Sequence, residues 1–126
     1  MDARIDPRAL FDLRPGDAHV IRNAGALVTD DVVRSIALSQ HLLGTRAVIV
    51  LAHTGCGLQD LDEDELRSRI VAATGYDTQG DFGRFDDLED HVRAQVATLA
   101  AHPWSAAVSV QGLVLDVETG EVRRVI

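Results

Sequence analysis

The sequence predicts an α/β domain with a mainly parallel central sheet, flanking helices and an antiparallel edge strand or C-terminal hairpin. Three observations carry this. Residues 46–54, RAVIVLAHT, form a continuous β-branched run, which reads as a parallel strand buried on both faces. Stretches of helical period alternate with strand-like stretches along the chain. The chain ends in two strand-like segments joined by ETGE around Gly120, a hairpin signal.

Each element has its own local reason. Residues 7–13, PRALFDL, begin with a proline suited to a first helical turn, and RPGD stops them with a turn. Residues 18–23, AHVIRN, predict a short strand. NAGALVTDD follows as a loop in which Thr29 or Asp30 caps the next helix. That helix covers residues 30–44, with Val32, Val33, Ile36, Ala37, Leu42 and Leu43 at helical spacing and Gly44 as the stop. After the strand at 46–54 comes a loop beyond Cys56, then an acidic-start helix at 62–75 ending on Gly75. Residues 76–85 read as a glycine-containing loop. Residues 86–103 predict a long amphipathic helix with Leu88, Val92, Val96 and Leu99 on one stripe, ended by Pro103. His41 lies on a polar helix face and His91 on a charged one, so both are expected at the surface. From residue 18 the order is β-α-β-α-α-β-β.

Composition narrows the function classes. A chain of 126 residues fits one domain, residues 1–126. Aromatic residues make up only 4%, which argues against a stacking surface for single-stranded nucleic acid. The formal net charge of −8 repels phosphate backbones and anionic membranes, so neither is an expected partner. The longest apolar run, AVIVLA, is far too short to cross a bilayer. Cys56 is the one cysteine, so no internal disulfide is expected, and the expected setting is the reducing cytoplasm.

Ligands of open α/β sheets sit at the carboxyl ends of strands. The loop HTGCG (53–57) follows the most apolar strand and NAGA (23–26) follows the one before it, so the two loops are expected to be neighbours. His53 and Cys56 stand three residues apart across two small residues, a spacing that suits Zn2+. The same spacing also fits a strand-end histidine bonded to backbone beside an inert buried cysteine. Asp2 and Arg4 fit a bidentate carboxylate–guanidinium pair, or equally two solvated charges at a frayed terminus. The acidic residues at 60–65 read as a helix-start charge pattern without Ca2+-loop spacing. GDFG at 80–83 lacks every other kinase motif.

Together, MDARIDP (1–7), GDAHVIRNAGALVTDDVVRSIALSQHLLGTRAVIVLAHTGCG (16–57) and SVQGLVLDVETGEV (109–122) resemble the β-class carbonic anhydrases. The likeness is closest to the smaller bacterial and mycobacterial type. This resemblance implies a zinc-dependent lyase that reversibly hydrates CO2 to bicarbonate as a homodimer or higher homo-oligomer. It implies Zn2+ held by two cysteines and one histidine, of which His53 and Cys56 match two. Asp2 and Arg4 match the catalytic Asp–Arg dyad. In the family, the Asp accepts a hydrogen bond from zinc-bound water or closes onto the metal as a further ligand. Asn23, Ala24, Gly25 and Gly57 match the substrate pocket. Arg22 matches the arginine that holds a noncatalytic bicarbonate in regulated members.

The family's first zinc cysteine immediately precedes the residue matching Met1, at the end of a central strand. This sequence contains only Cys56, so it is read as an N-terminally truncated member without the N-terminal arm, first strand and first zinc cysteine. Such a chain is expected to bind zinc weakly and to hydrate CO2 poorly. The alternative reading is a non-catalytic α/β binding or interaction module that has lost its metal site.

Overall fold

The computed structural model describes residues 1–106 and 109–126. Its elements are α1 (Pro7–Leu10), a 3-10 turn (Ala24–Ala26), α2 (Asp30–His41), β1 (Ala47–His53), α3 (Glu63–Thr74), α4 (Leu88–Ala101), β2 (Ser109–Leu115) and β3 (Val122–Arg124). The strands form one three-stranded sheet in the order β1-β2-β3. β1 and β2 are parallel with Val50 opposite Gly112, and β2 and β3 are antiparallel. The predicted α/β class, parallel pairing and C-terminal hairpin are therefore present. The predicted hairpin strand began one residue before the pair Ala107 and Val108, which lies outside the described residues.

Helix boundaries follow the capping chemistry. The Thr29 side chain accepts from the Val32 amide, Asp62 from Glu65 and Asp87 from Asp90, so each of the three longer helices has a side-chain N-cap. Gly75, at φ 75°, stops α3 in a left-handed cap. In the hairpin, the Asp116 carboxylate accepts from the Glu118 and Thr119 amides. α1 and α2 are shorter than their apolar patterns extend, ending at Leu10 and His41.

Two strand expectations are corrected. Residues 18–23 pair with no strand, and Val20 and Ile21 stay exposed. A strand exists only through its ladder, and no described strand lies beside this segment to supply one. β1 is also not buried on both faces. It is an edge strand, and α4 packs against one side of it. Val50 and Ala52 on that side are buried, whereas Ile49 on the opposite side is 50% exposed.

The core forms where α4 meets β1 and β2. Val50, Ala52, Val92, Val96 and Val114 make one buried cluster, and Val92 has no exposed surface. The predicted stripe Leu88, Val92, Val96 and Leu99 faces inward, with Leu88 at its half-buried start. Gly112 makes the close approach feasible, since a Cβ there would lie 2.4 Å from Val92 Cγ1 and 3.1 Å from Val96 Cγ2. His91 corrects a further expectation: it is buried, because it lies one position from Val92 and three from Leu88 on the inward side of α4. Among the described residues, no helix is long and apolar enough to cross a membrane.

The Gly112 contact gives a direct test. Gly112→Ala forces α4 outward or Val92 off its rotamer, and overpacking of this kind costs about 1–3 kcal/mol. Urea unfolding of the variant is expected to show a lower midpoint with an unchanged slope. An unchanged midpoint would show that the helix–sheet interface has slack at this point.

Candidate functional site

The site is built at the carboxyl end of β1. His53 is the last residue of that strand, and its side chain is 12% exposed. The turn after it is pinned twice. The Thr54 amide donates to the Leu115 carbonyl, and the Val117 amide donates to Thr54 Oγ1. Gly55, at φ 63°, lets the chain reverse toward Cys56, a free and partly buried thiol. His53 Nδ1 sits 2.9 Å from the Thr54 carbonyl oxygen. A carbonyl only accepts, so Nδ1 carries a proton and donates to it. Nε2, on the other side of the ring, lies 3.8 Å from Asp2 Oδ2.

Asp2 is held from two sides by one residue. Arg4 Nε donates to Oδ1 at 2.9 Å and Arg4 Nη2 to Oδ2 at 2.6 Å, while the Arg4 amide donates to Oδ1 at 2.9 Å. The Arg4 side-chain bonds, then its backbone bond, hold the Asp2 carboxyl far below the usual carboxylate range, with smaller contributions from the Arg4 and His53 charges. Arg4 Nη2 also donates to the Gly55 carbonyl at 3.3 Å, which ties this pair to the Cys56 turn. Asp2 and Arg4 are therefore a formed ion pair rather than two solvated charges.

The loop at 23–26 closes the other side. The Met1 ammonium donates to the Asn23 carbonyl at 2.6 Å, and Arg22 Nη2 donates to the Asp2 carbonyl at 2.6 Å. Arg22 thus spends one donor on the backbone beside the dyad. The Asn23 side chain bonds both the carbonyl and the amide of Leu27. Gly25 and Ala26 both adopt left-handed backbone, at φ 71° and 54°. A Cβ on Gly25 would lie 2.7 Å from Leu58 Cδ1, so the loop at 23–26 and the segment after β1 touch as expected. Ala24 and Gly57 are exposed on these same two loops.

Two residues on α4 that were not picked out for the site support the loop at 23–26. His91 Nε2 is 2.7 Å from the Gly25 carbonyl, and Gln95 Oε1 accepts from the Val28 amide at 2.8 Å. The signal for them was positional. Residues 91 and 95 are one helical turn apart and flank the apolar stripe, so they point to the same side as Val92 and Val96.

The donor chemistry near His53 suits zinc in kind but not in number. His53 Nε2 and the Cys56 thiol are two proper donors, and a catalytic zinc takes three protein ligands. Both Asp2 oxygens are engaged by Arg4. Among the described residues, no three His, Cys, Asp or Glu side chains are grouped to hold a metal. The residues present do not by themselves complete a zinc site.

Comparison with known proteins places this geometry in a family. The family model described as "Carbonic anhydrase" matches residues 1–122. Beta-carbonic anhydrase 1 of Mycobacterium tuberculosis is 40% identical over 126 residues, covering 99% of this chain and 77% of that protein. The crystal structure of carbonic anhydrase from Streptococcus mutans superposes with a TM-score of 0.94 at 39% identity, covering 100% of this chain and 77% of that one. A carbon disulfide hydrolase of Acidithiobacillus thiooxidans is 31% identical over 145 residues, covering 98% of this chain and 72% of that protein. With the Asp–Arg pair set beside a strand-end His-x-x-Cys, as the resemblance requires, the chain belongs to the β-class carbonic anhydrase family.

Proposed function

We propose that the chain serves the reversible hydration of CO2 to bicarbonate, at the cluster formed by Asp2, Arg4, His53 and Cys56. One observation carries this reading: an ionised Asp2, clamped at both oxygens, stands 3.8 Å from Nε2 of His53. A carboxylate so held is an oriented hydrogen-bond acceptor next to a metal-ligating nitrogen. His53 and Cys56 would be two of the ligands of a Zn2+ ion, which when bound would supply a water acidic enough to ionise near neutral pH.

The remaining roles belong to this chain's own residues. Asp2 accepts a hydrogen bond from the attacking oxygen and fixes its direction. Arg4 keeps Asp2 ionised and, through the Gly55 carbonyl, fixed relative to Cys56. Asn23, Ala24, Gly25 and Gly57 form the small pocket at the two strand ends. Arg22 offers its unspent guanidinium donors to bicarbonate. The active form is a homodimer or higher homo-oligomer. A second reading, hydrolysis of CS2, is favoured by the 31% identity to a carbon disulfide hydrolase across nearly the whole chain.

Metal content and turnover decide between these readings. The 126-residue chain, with its single cysteine, is expected to hold well under one zinc per chain and to speed CO2 hydration little. Inserting a cysteine directly ahead of Met1, where the family carries its first zinc ligand, is expected to raise both. Stopped-flow hydration assays and elemental analysis read the outcome. Full zinc and rapid hydration without the insertion would refute the ligand count. A zinc-loaded inserted chain that consumes CS2 but leaves CO2 alone would replace the anhydrase reading with the hydrolase one.

The Asp2–Arg4 clamp predicts a pH effect. Because the folded-state pKa of Asp2 is depressed, its stabilising contribution is complete above the ordinary carboxylate pKa, falls progressively as pH drops below it, and is gone once pH passes the depressed value. Arg4→Gln removes the largest cause of the depression. The Asp2 carboxyl carbon, followed by NMR, is expected to titrate at distinctly higher pH in the variant. An unmoved titration would mean that Arg4 does not hold the carboxylate in solution.

A further inference from the structure

We infer that His91 is a positioning residue that clamps the pocket loop at 23–26 to the turn carrying Cys56 and sets the spacing between them. This deepens the site reading above and rests on it for its functional meaning. His91 is buried in α4 and touches neither the Asp–Arg pair nor the Cys56 side chain in any recorded bond. Its two faces of chemistry point to different loops.

The first is a hydrogen bond. His91 Nε2 lies 2.7 Å from the Gly25 carbonyl oxygen, and since that oxygen can only accept, Nε2 carries the proton. The bond falls at the strained part of the pocket loop, where Gly25 and the non-glycine Ala26 are both left-handed. A residue such as Ala26 keeps that backbone only when its surroundings over-determine it. His91 supplies one of the constraints, and Gln95 on the next turn supplies another at Val28.

The second is a ring contact. The imidazole stacks on Phe85 with centroids 4.1 Å apart and planes 16° from parallel. Phe85 is bridged to the far loop through its backbone. Its amide donates to the Leu58 carbonyl, and its carbonyl accepts from the Asp60 amide. Leu58 in turn fills the space beside Gly25, and the Gln59 amide donates to the Cys56 carbonyl. Pressing on Phe85 therefore presses on the turn that carries Cys56. One side chain holds the pocket loop by a proton and the Cys56 turn by a ring.

Two variants separate these functions. His91→Phe keeps an aromatic ring for Phe85 and removes the donor to Gly25. His91→Gln keeps an N–H at nearly the same reach and removes the ring. Native-state amide exchange of the full chain reads the pocket loop at Leu27 and Val28 and the other turn at Gln59 and Asp60. The rate of Cys56 alkylation by iodoacetamide gives a second reading of that turn. In His91→Phe, the Leu27 and Val28 amides are expected to exchange about fivefold faster, as for one lost hydrogen bond, with Gln59, Asp60 and Cys56 close to wild type. In His91→Gln, the pattern is expected to reverse: Gln59 and Asp60 exchange faster, Cys56 alkylates faster, and the pocket loop is restored.

A purely structural role for His91 would loosen both loops together in both variants, in step with the drop in denaturant midpoint, and that outcome would overturn the inference. No change at either loop would overturn it as well. The 15N spectrum of the wild-type ring is expected to show the proton on Nε2, and a proton on Nδ1 alone would remove the bond to Gly25 from the account. None of these readings requires turnover, so they stand whether or not CO2 hydration is found.

Discussion

The packing of α4 over Gly112 is the constraint on which the rest of the structure depends. A sheet of three strands, two of them edges, has little apolar surface of its own. It becomes a core because Gly112 carries no side chain and Val92 can sit directly over the backbone. That single approach fixes the height and rotation of α4. It then determines where the other residues on the inward side of the helix fall. Val96 continues the core, while His91 and Gln95 reach past the sheet to the loop at 23–26. The same packing that stabilises the fold therefore also shapes the pocket.

The site itself depends on electrostatics rather than packing. Arg4 is more than half exposed, yet it makes two side-chain bonds to one carboxylate and a third to a backbone carbonyl. A planar guanidinium can satisfy that geometry, and a lysine cannot. The bidentate bond also restrains Asp2 from ligating a metal, because a carboxylate with both oxygens occupied must give up charge-assisted bonds to do so. His53 is prepared in the opposite sense. Its Nδ1 bond to the Thr54 carbonyl fixes the ring so that Nε2 faces the dyad. The cluster thus sets a fixed carboxylate beside a fixed imidazole.

Much of this was legible in the sequence. The strand RAVIVLAHT, the cap at Thr29, the stop at Gly75 and the turn at Gly120 each rest on local chemistry, and local chemistry decides them in the structure. The HTGCG and NAGA loops do touch, although the strand expected before NAGA is absent and the contact runs through Leu58 beside Gly25. The failures were of a different kind. AHVIRN has strand-like residues, but whether they form a strand depends on a partner, which no window of sequence contains. The apolar run of β1 suggested burial on both faces, whereas its position at the sheet edge is a property of the whole sheet. His91 sits on a charged face in the sequence and is expected at the surface, yet it lies one turn after Leu88, at the margin of the inward stripe, and is buried.

The difference between what was legible and what was not bears on the metal question. The motifs of the family are short, and each specifies the local shape of one loop. Asp2–Arg4 and His53–Cys56 keep their local geometry because each pair lies within a few residues and is braced by its own turn. A metal centre is not local in this sense. Its ligands converge only when separate strand ends are held at a fixed spacing, and every missing donor weakens the hold on those that remain. In this chain protein contacts also bridge the loops: Arg4 to Gly55, Arg22 to the Asp2 carbonyl, Met1 to Asn23, and His91 between the loops. These contacts brace the turn that carries His53 and Cys56 with protein atoms from three separate parts of the chain.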